Sequence, residues 1–245
     1  MLGVSFDEGL VHIFRSNSKL LNSLIESEQD AAELVIPDLF GHYLLQYSAF
    51  NRAVVRKTFL KHHFFASHLP NKDLQVDYEC MPFRENSLDC VVAHHILDQN
   101  PNAHQCLREA ARIVVPNGYL VIIGFNPHSF WGASRFLYKY GLAPKGHYIS
   151  KGRLLDWLTL LGYRVELTTG CQYLPPFILR YFPKFSNAVD RVLARMKFPG
   201  AGVYVLIARK LVAGRTPIRP QWRALSGRRI PVAAPSTRGV SVTSR

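Results

Sequence analysis

The chain has 245 residues, of which 48% are hydrophobic and 12% aromatic. This composition excludes a disordered or collagen-like protein and predicts one globular domain with a sizeable core. The formal net charge is +13, but residues 191–245 carry 12 Lys and Arg residues and no acidic residue. Residues 1–190 are nearly neutral, so the net charge says little about what the main domain binds.

Cysteine usage and the amino-terminal sequence both favour a reducing compartment. Cys80, Cys90, Cys106 and Cys171 form no closely spaced pairs, which predicts free thiols rather than a disulfide framework. The first residues lack a basic stretch followed by a long apolar one, and no apolar run reaches the length of a membrane span. We therefore expect a soluble cytoplasmic protein with no membrane partner.

The predicted elements alternate between helices and strands. In chain order they are a helix at 18–34, a strand at Tyr43–Phe50, a short helix at 52–60, strands at His63–Ala66, Leu74–Asp77 and Leu88–Ala93, a helix at Ala103–Val115, a turn at Pro116–Gly118, a strand at Tyr119–Phe125, a helix at Arg153–Leu161, and strands at Arg164–Thr168 and Val203–Arg209. The first helix carries apolar residues on one side and acids on the other. The strand, helix, turn and strand within residues 88–125 predict a βαβ unit, hence a parallel sheet covered by helices.

This pattern divides the chain into three parts. Residues 1–37 form an N-terminal helical segment, and residues 38–210 form the main α/β domain. Residues 211–245 are rich in Arg, Pro, Ser and Thr and contain one aromatic residue. Such a segment buries too little apolar surface to offset its ordering entropy, so we predict a disordered basic tail.

The most specific pattern lies in residues 77–127. In order it consists of the acid Asp77, Met81-Pro82-Phe83, Ser87-Leu88-Asp89, Glu109 with Arg112, and Pro116-Asn117-Gly118 before an apolar strand. This segment resembles the central part of class I S-adenosylmethionine-dependent methyltransferases of the type 11 group. The resemblance implies a three-layer Rossmann-like α/β fold with a mostly parallel sheet and an antiparallel last strand. It also implies S-adenosylmethionine as the cofactor and an unidentified methyl acceptor.

The resemblance also suggests which residues meet the cofactor. Asp77 would accept a hydrogen bond from the adenine amino group, because a carboxylate is an acceptor and the amine a donor. The backbone N–H of Tyr78 would meet the ring. Ser48 stands where the family has a glycine loop, and His94 stands where the family meets the methionine part. For each residue the alternative is an ordinary loop or strand-end position.

Two further residues are candidates for catalysis. His95 follows the fourth predicted strand and has an ordinary pKa near neutrality, which suits a general base. Asn126 follows the fifth strand, and ligands of open α/β sheets bind at the carboxyl ends of strands. We expect no metal site at His94 and His95, because adjacent side chains of a strand point in opposite directions.

The chain departs from the family pattern at the first strand. No glycine occurs between Gly41 and Gly118, although class I methyltransferases have a glycine-rich loop there, and no acid ends the second strand. The same absence argues against a nicotinamide- or flavin-dependent dehydrogenase. No Walker A, G-x-S-x-G or H-E-x-x-H motif occurs.

Three hypotheses follow from the sequence. The first is an active methyltransferase that binds its cofactor by a modified route. The second is a catalytically inactive relative that keeps the fold as a binding protein. The third is an RNA-associated protein that contacts phosphates weakly through residues 211–245, which clustered Arg residues favour.

Overall fold

The computed structural model describes residues 18–34, 36, 39, 41–50, 52–56, 58, 60–67, 74–134, 147–175, 178, 181–196 and 200–211. The chain divides into two compact units, residues 1–213 and 214–245, and the fold described below belongs to the first. The four cysteines are free thiols, as predicted. The basic tail predicted at residues 211–245 lies, apart from Leu211, outside the described residues.

Helices and strands alternate along most of the first unit. They are α1 (Ser18–Glu33), β1 (Tyr43–Ser48), β2 (His62–Ser67), β3 (Leu74–Gln75), β4 (Leu88–His94), α2 (Ile96–Gln99), α3 (Ala103–Ile113), β5 (Val114–Phe125), α4 (Phe130–Ser134), α5 (Lys151–Leu160), β6 (Tyr163–Cys171), α6 (Pro183–Arg195) and β7 (Val203–Lys210). The seven strands form one sheet in the order β3-β2-β1-β4-β5-β7-β6. Strands β1 to β5 pair in parallel, whereas β7 is antiparallel to both β5 and β6. The predicted α/β fold, with its antiparallel last strand, is confirmed.

Helices cover both faces of the sheet because the inner strands are buried at almost every position, and most of these positions are apolar. On β4, Val91 and Ala93 face the layer that contains α3 and α5, whereas Cys90 and Val92 face the layer that contains α1. This continuous burial is typical of parallel sheets. Helix α1 packs on the same face of the sheet as Cys90 and Val92, through residues such as Leu24.

Two local predictions are wrong. The described residues between 52 and 60 contain no helix. The buried side-chain amide of Gln46 bonds to their backbone instead: Gln46 Nε2 donates to Arg52 O, and Val55 N–H donates to Gln46 Oε1. Helix α1 also does not place all of its acids outside, since Glu28 is fully buried. Helix α6 had not been predicted.

The turn predicted at residues 116–118 lies inside the long strand β5. Asn117 has a φ of 63°, and the pairing with β4 shifts register in this stretch, so the strand bulges there. Gly118 is required, because a Cβ atom would lie 2.7 Å from Asp89 O and 2.8 Å from Val114 Cγ1.

Arg112 supports the loop between β3 and β4. Its guanidinium donates to the carbonyl oxygens of Met81 and Phe83 and pairs with Glu109 at 2.9 Å. Arg112 and Glu109 therefore have a structural role, because they hold the Met81–Phe83 segment against α3.

Candidate active site

The parallel register of β1 and β4 brings Ser48 and His94 together. The two residues are direct partners at the carboxyl ends of their strands, and alternation turns both side chains toward the α1 layer. Ser48 Oγ lies 2.6 Å from His94 Nδ1, and both side chains are fully buried. The sequence placed both residues at this edge correctly, but the hydrogen bond between them depends on the register.

His95 lies on the same side as His94, which contradicts the expectation that adjacent side chains diverge. The strand ends at His94, and His95 adopts a left-handed φ of 55°. His95 Nε2 lies 2.7 Å from Glu28 Oε1, and His94 Nε2 lies 2.8 Å from Glu28 Oε2. One carboxylate of α1 therefore bonds both imidazole rings.

The hydrogen bonds continue into α2 and β5. His95 Nδ1 lies 2.8 Å from Asp98 Oδ2, and the N–H of Phe125 donates to the same oxygen at 2.9 Å. We call Glu28, Ser48, His94, His95 and Asp98 the buried network, because every one of these side chains is fully enclosed. It links α1, β1, β4, α2 and β5 at one edge of the sheet.

Within the buried network, Glu28 and His95 stabilise each other's charged forms. Burial alone would raise the pKa of Glu28, but the two imidazoles outweigh it and lower this pKa to about 2. Burial would lower the pKa of His95, but Glu28 and Asp98 raise it to about 9. For His94, burial dominates and lowers the pKa. At neutral pH, Glu28 is therefore ionised, His95 is protonated and His94 is neutral.

These protonation states assign the protons of the network. Neutral His94 donates a hydrogen bond through Nε2–H to Glu28. At Nδ1 it accepts a hydrogen bond from the Ser48 hydroxyl. Protonated His95 donates to both carboxylates. The general-base role of His95 stays a prediction, and a fully buried, protonated ring argues against it.

Glu28, His94 and His95 are also the group of described residues that could hold a metal ion. One ligand atom from each lies within 4.8 Å of the others. However, the facing nitrogens and oxygens already hydrogen-bond to each other, and an ion would have to displace both ring protons in a fully buried space. We therefore describe the group as a network of hydrogen bonds.

In the loop after β1, side chains and hydrogen bonds occupy the space that a glycine-rich loop would leave open. The carbonyl oxygen of Ser48 accepts hydrogen bonds from Ser67 Oγ and Tyr78 Oη, at 3.3 and 3.2 Å. The N–H of Phe50 donates to Ser48 Oγ, and the N–H of Ala49 donates to the carbonyl oxygen of His94. The polar side-chain atoms of Ser48 and His94 already hydrogen-bond within the buried network. Direct contacts of these two residues with the cofactor stay predictions.

Asp77 lies in a more open position beyond the end of β3. Its side chain is exposed, and Oδ1 accepts the N–H of Glu79 at 3.0 Å. The adjacent Tyr78 side chain is buried and packs at 5.7 Å, centroid to centroid, against Tyr47. The structure therefore leaves the Asp77 carboxylate accessible to a ligand, while its adenine contact stays a prediction.

The segment after β4 carries polar atoms that the sequence analysis missed. Asp98, Gln99 and Asn100 are buried, yet Asp98 Oδ1, Gln99 Nε2 and Asn100 Nδ2 have no hydrogen-bond partner among the described residues. Leaving such groups unpaired costs about 1–3 kcal/mol each. The available signal was a polar run directly after a buried strand, at the edge where α/β sheets bind ligands.

Asn126 is tied into the loop after β5. Its Nδ2 donates to Ala201 O at 3.0 Å, and its Oδ1 accepts the N–H of His128 at 3.0 Å. These contacts give Asn126 a structural role, and its role toward a substrate stays a prediction.

Comparisons with known proteins agree with the fold. Residues 43–122 match a family model described as a methyltransferase domain. The uncharacterized protein YafS of Escherichia coli K12 is 36% identical over 106 residues, which is 42% of this chain and 43% of YafS. This chain thus matches less than half the length of that relative.

Two solved structures share the architecture at low sequence identity. A S-adenosylmethionine-dependent methyltransferase of Thermotoga maritima aligns with a TM-score of 0.58 at 15% identity, covering 82% of this chain and 99% of that one. Another from Archaeoglobus fulgidus aligns with a TM-score of 0.54 at 15% identity, covering 76% and 94%. These likenesses show the fold.

Proposed function

We propose that this chain is a class I S-adenosylmethionine-dependent methyltransferase, which transfers a methyl group from S-adenosylmethionine to an acceptor; the methyltransferase-domain match at residues 43–122 and the shared fold support this proposal. The free thiols support a reducing, cytoplasmic location.

The unpaired polar atoms after β4 carry the proposal. Gln99 Nε2 and Asn100 Nδ2 are buried donors without partners among the described residues, and they follow the strand beside β1. This is the point of the sheet where the strand order reverses direction, and open α/β sheets bind ligands there. A ligand with acceptor groups would satisfy these donors, which explains why the fold retains them.

The residues at this edge fit the cofactor at two places. Asp77 offers an accessible carboxylate for the adenine amino group, and the backbone N–H of Tyr78 is the adjacent donor to the ring. Gln99 and Asn100 offer amide donors to the polar groups of the rest of the molecule. When bound, S-adenosylmethionine supplies an electrophilic methyl group on its sulfonium.

The protein's own contribution is to position the reactants and exclude water. The buried network fixes the ends of β1 and β4 relative to α1, and the ring of Phe50 contacts both imidazoles edge-on. A rigid edge of this kind holds an acceptor in line with the methyl group, and such positioning supplies much of the rate in methyl transfer.

Isothermal titration with S-adenosylmethionine and S-adenosylhomocysteine tests the proposal. The wild-type chain should bind both, and Asp77→Ala should weaken binding about 10-fold or more, because a charge-assisted hydrogen bond is lost. Asp156→Ala, at an exposed acid of α5, is the matched control and should bind as the wild type does.

Gln99→Leu gives a second and independent test. Leucine removes the unpaired amide while nearly keeping the volume, so the free protein should be at least as stable as the wild type. Affinity for S-adenosylhomocysteine should fall about 10-fold, as expected for the loss of one well-made hydrogen bond. Unchanged affinity would remove Gln99 from the proposed site.

A catalytically inactive, binding-only protein is the second candidate function. The closed loop after β1 favours it, because Ser48, Ala49 and Phe50 all carry side chains and their polar groups are already paired. A folded wild-type chain that binds neither S-adenosylmethionine nor S-adenosylhomocysteine at millimolar concentrations would select this candidate.

The RNA hypothesis rests on the composition of residues 211–245 alone. If the tail contacts phosphates, affinity for RNA should fall steeply with salt and should be lost when residues 214–245 are deleted, because counterion release drives such binding. Equal affinity before and after the deletion would exclude this role.

A further inference from the structure

A buried carboxylate links helix α6 to the segment that follows β6. Asp190 accepts the N–H groups of Gln172 and Tyr173, at 3.2 and 2.8 Å, just after β6. The helix lies against β6 and α1. Asp190 therefore marks the side of α6 that faces the protein.

The opposite side of α6 is apolar and exposed. At 100° per residue, Phe185, Val192 and Met196 lie on the side away from Asp190, and they are 61%, 57% and 70% exposed. The N–H of Met196 donates to Val192 O, so the turn continues through Met196. Tyr181 and Phe182, just before the helix, are exposed as well. We call Phe182, Phe185, Val192 and Met196 the α6 apolar face.

This arrangement inverts the pattern of the other surface helices. Helix α3 buries Cys106, Leu107 and Ala110, and α5 buries Leu154 and Leu158. A surface helix normally turns its apolar stripe toward the core. Contiguous exposed apolar residues on a soluble protein mark a site of interaction with a protein or a membrane.

The charge of the helix itself favours a membrane. The helix contains Lys184, Arg191 and Arg195, and Arg195 is exposed beside the apolar face. Asp190 is the last acidic residue of the chain, and it is buried. Aromatic and aliphatic residues on one face, combined with Lys and Arg and no exposed acid, are the features of helices that lie in the interface of anionic membranes.

We propose that α6 docks in the plane of an anionic phospholipid surface and inserts the α6 apolar face among the lipid headgroups and upper acyl chains. Arg195, which is exposed beside this face, contacts the headgroup phosphates. None of the helices in the described part of the chain is long and apolar enough to cross a bilayer, and docking in the plane of the interface needs no such helix. The proposal departs from the expectation of no membrane partner, and it does not depend on methyl transfer.

Vesicle co-sedimentation of the full chain tests this docking. The chain should sediment with vesicles of phosphatidylcholine and phosphatidylglycerol at 3:1, and much less with phosphatidylcholine alone, because each basic residue gains from the anionic surface. Equal sedimentation with both vesicles, or none with either, would overturn the proposal.

A triple variant separates the apolar face from the basic tail. Phe185→Ser, Val192→Ser and Met196→Ser together should reduce the partition coefficient about 100-fold or more, because three large apolar side chains no longer enter the membrane. Leu160→Ser is the control, since Leu160 is an apolar residue on α5 that is even more exposed, at 82%. Wild-type binding by the triple variant would overturn the proposal and assign the vesicle affinity to other basic residues.

A site-specific probe keeps the proposal testable if the triple variant fails to fold. An environment-sensitive dye on Ala188→Cys, an exposed position of α6, should gain fluorescence and shift to the blue with anionic vesicles. The same dye on Leu160→Cys should not respond; both proteins carry Cys80→Ser to remove the exposed native thiol. A second copy of the chain is the competing occupant: sedimentation velocity that shows a dimer lost in the triple variant, with vesicle binding retained, would contradict membrane docking.

Discussion

Two regions of this domain reverse the usual distribution of polar and apolar residues. At the carboxyl edge of β1 and β4, two imidazoles and two carboxylates are completely enclosed. At α6, large apolar side chains lie in the solvent. Burying charge costs free energy unless every partner is present, and exposing apolar side chains forgoes their burial. Because neither arrangement maximises stability, both point to function, although their sensitivity to substitution should differ greatly.

Removal of the shared carboxylate should have the largest effect. Glu28→Ala leaves protonated His95 without its main counterion in a closed space, so the free energy of unfolding should fall by about 3–5 kcal/mol. Urea denaturation measures this change. Glu26→Ala, at an exposed acid of the same helix, should stay within about 0.5 kcal/mol of the wild type. Equal effects of the two substitutions would show that the buried network does not stabilise the fold.

The pH dependence of stability should come next in size. The folded-state pKa of His95 is raised to about 9, so its contribution is fully present below pH 6.5 and is lost as the pH rises through 9. The free energy of unfolding should therefore fall by about 2–3 kcal/mol between pH 7 and pH 10. The pKa of Glu28 is lowered, so its contribution is instead lost in acid, between about pH 4.5 and pH 2.

A histidine variant outside the buried network is the control for this profile. His104 is exposed on α3 and packs edge-on against Trp157, so His104→Gln should keep the wild-type slope. His95→Gln should flatten the slope between pH 7 and pH 10. Identical slopes in both variants would contradict the raised pKa of His95.

Detaching α6 should have an intermediate effect. Asp190→Ala removes the acceptor of two backbone N–H groups, so the free energy of unfolding should fall by about 1–3 kcal/mol. Hydrogen exchange at Gln172 and Tyr173 should speed up in this variant. Asp30→Ala, at an exposed acid of α1, should change neither quantity.

The smallest effect should come from the α6 apolar face. Phe185→Ser removes a side chain that is mostly in water, so stability should stay within about 0.5 kcal/mol of the wild type. Thermal denaturation measures this. A loss of 2 kcal/mol or more would mean that Phe185 is packed within the fold, and the contrast between the two regions would then disappear.

The strands could be predicted well because each one is indicated by a run of apolar residues within its own segment of the chain. Continuous apolar runs such as Val91–Ala93 and Leu120–Ile123 predict buried strands wherever the rest of the chain lies. The edge where ligands bind could also be predicted, since it follows from the parallel strand order. The family resemblance pointed to Asp77, Ser48 and His94 as the residues at this edge.

The details of the site depend on partners that are distant in the chain. The sequence predicted that Glu28 faces outward, because its partners His94 and His95 lie 66 and 67 residues later in the chain. The sequence of α1 alone contains no sign of these partners. The left-handed turn at His95 reversed an expectation that strand alternation had supported. Helix α6 was not predicted, and its large apolar residues Phe185, Val192 and Met196 are exposed and do not pack into the core.

We propose that the carboxyl edge of the sheet binds S-adenosylmethionine although the loop after β1 is closed. A crystal structure of the wild-type chain with S-adenosylhomocysteine at saturating concentration tests it most directly. The account predicts the adenine amino group within hydrogen-bond distance of the Asp77 carboxylate and polar ligand atoms against Gln99 and Asn100. A ligand bound elsewhere, or none bound in crystals that diffract well, would contradict it.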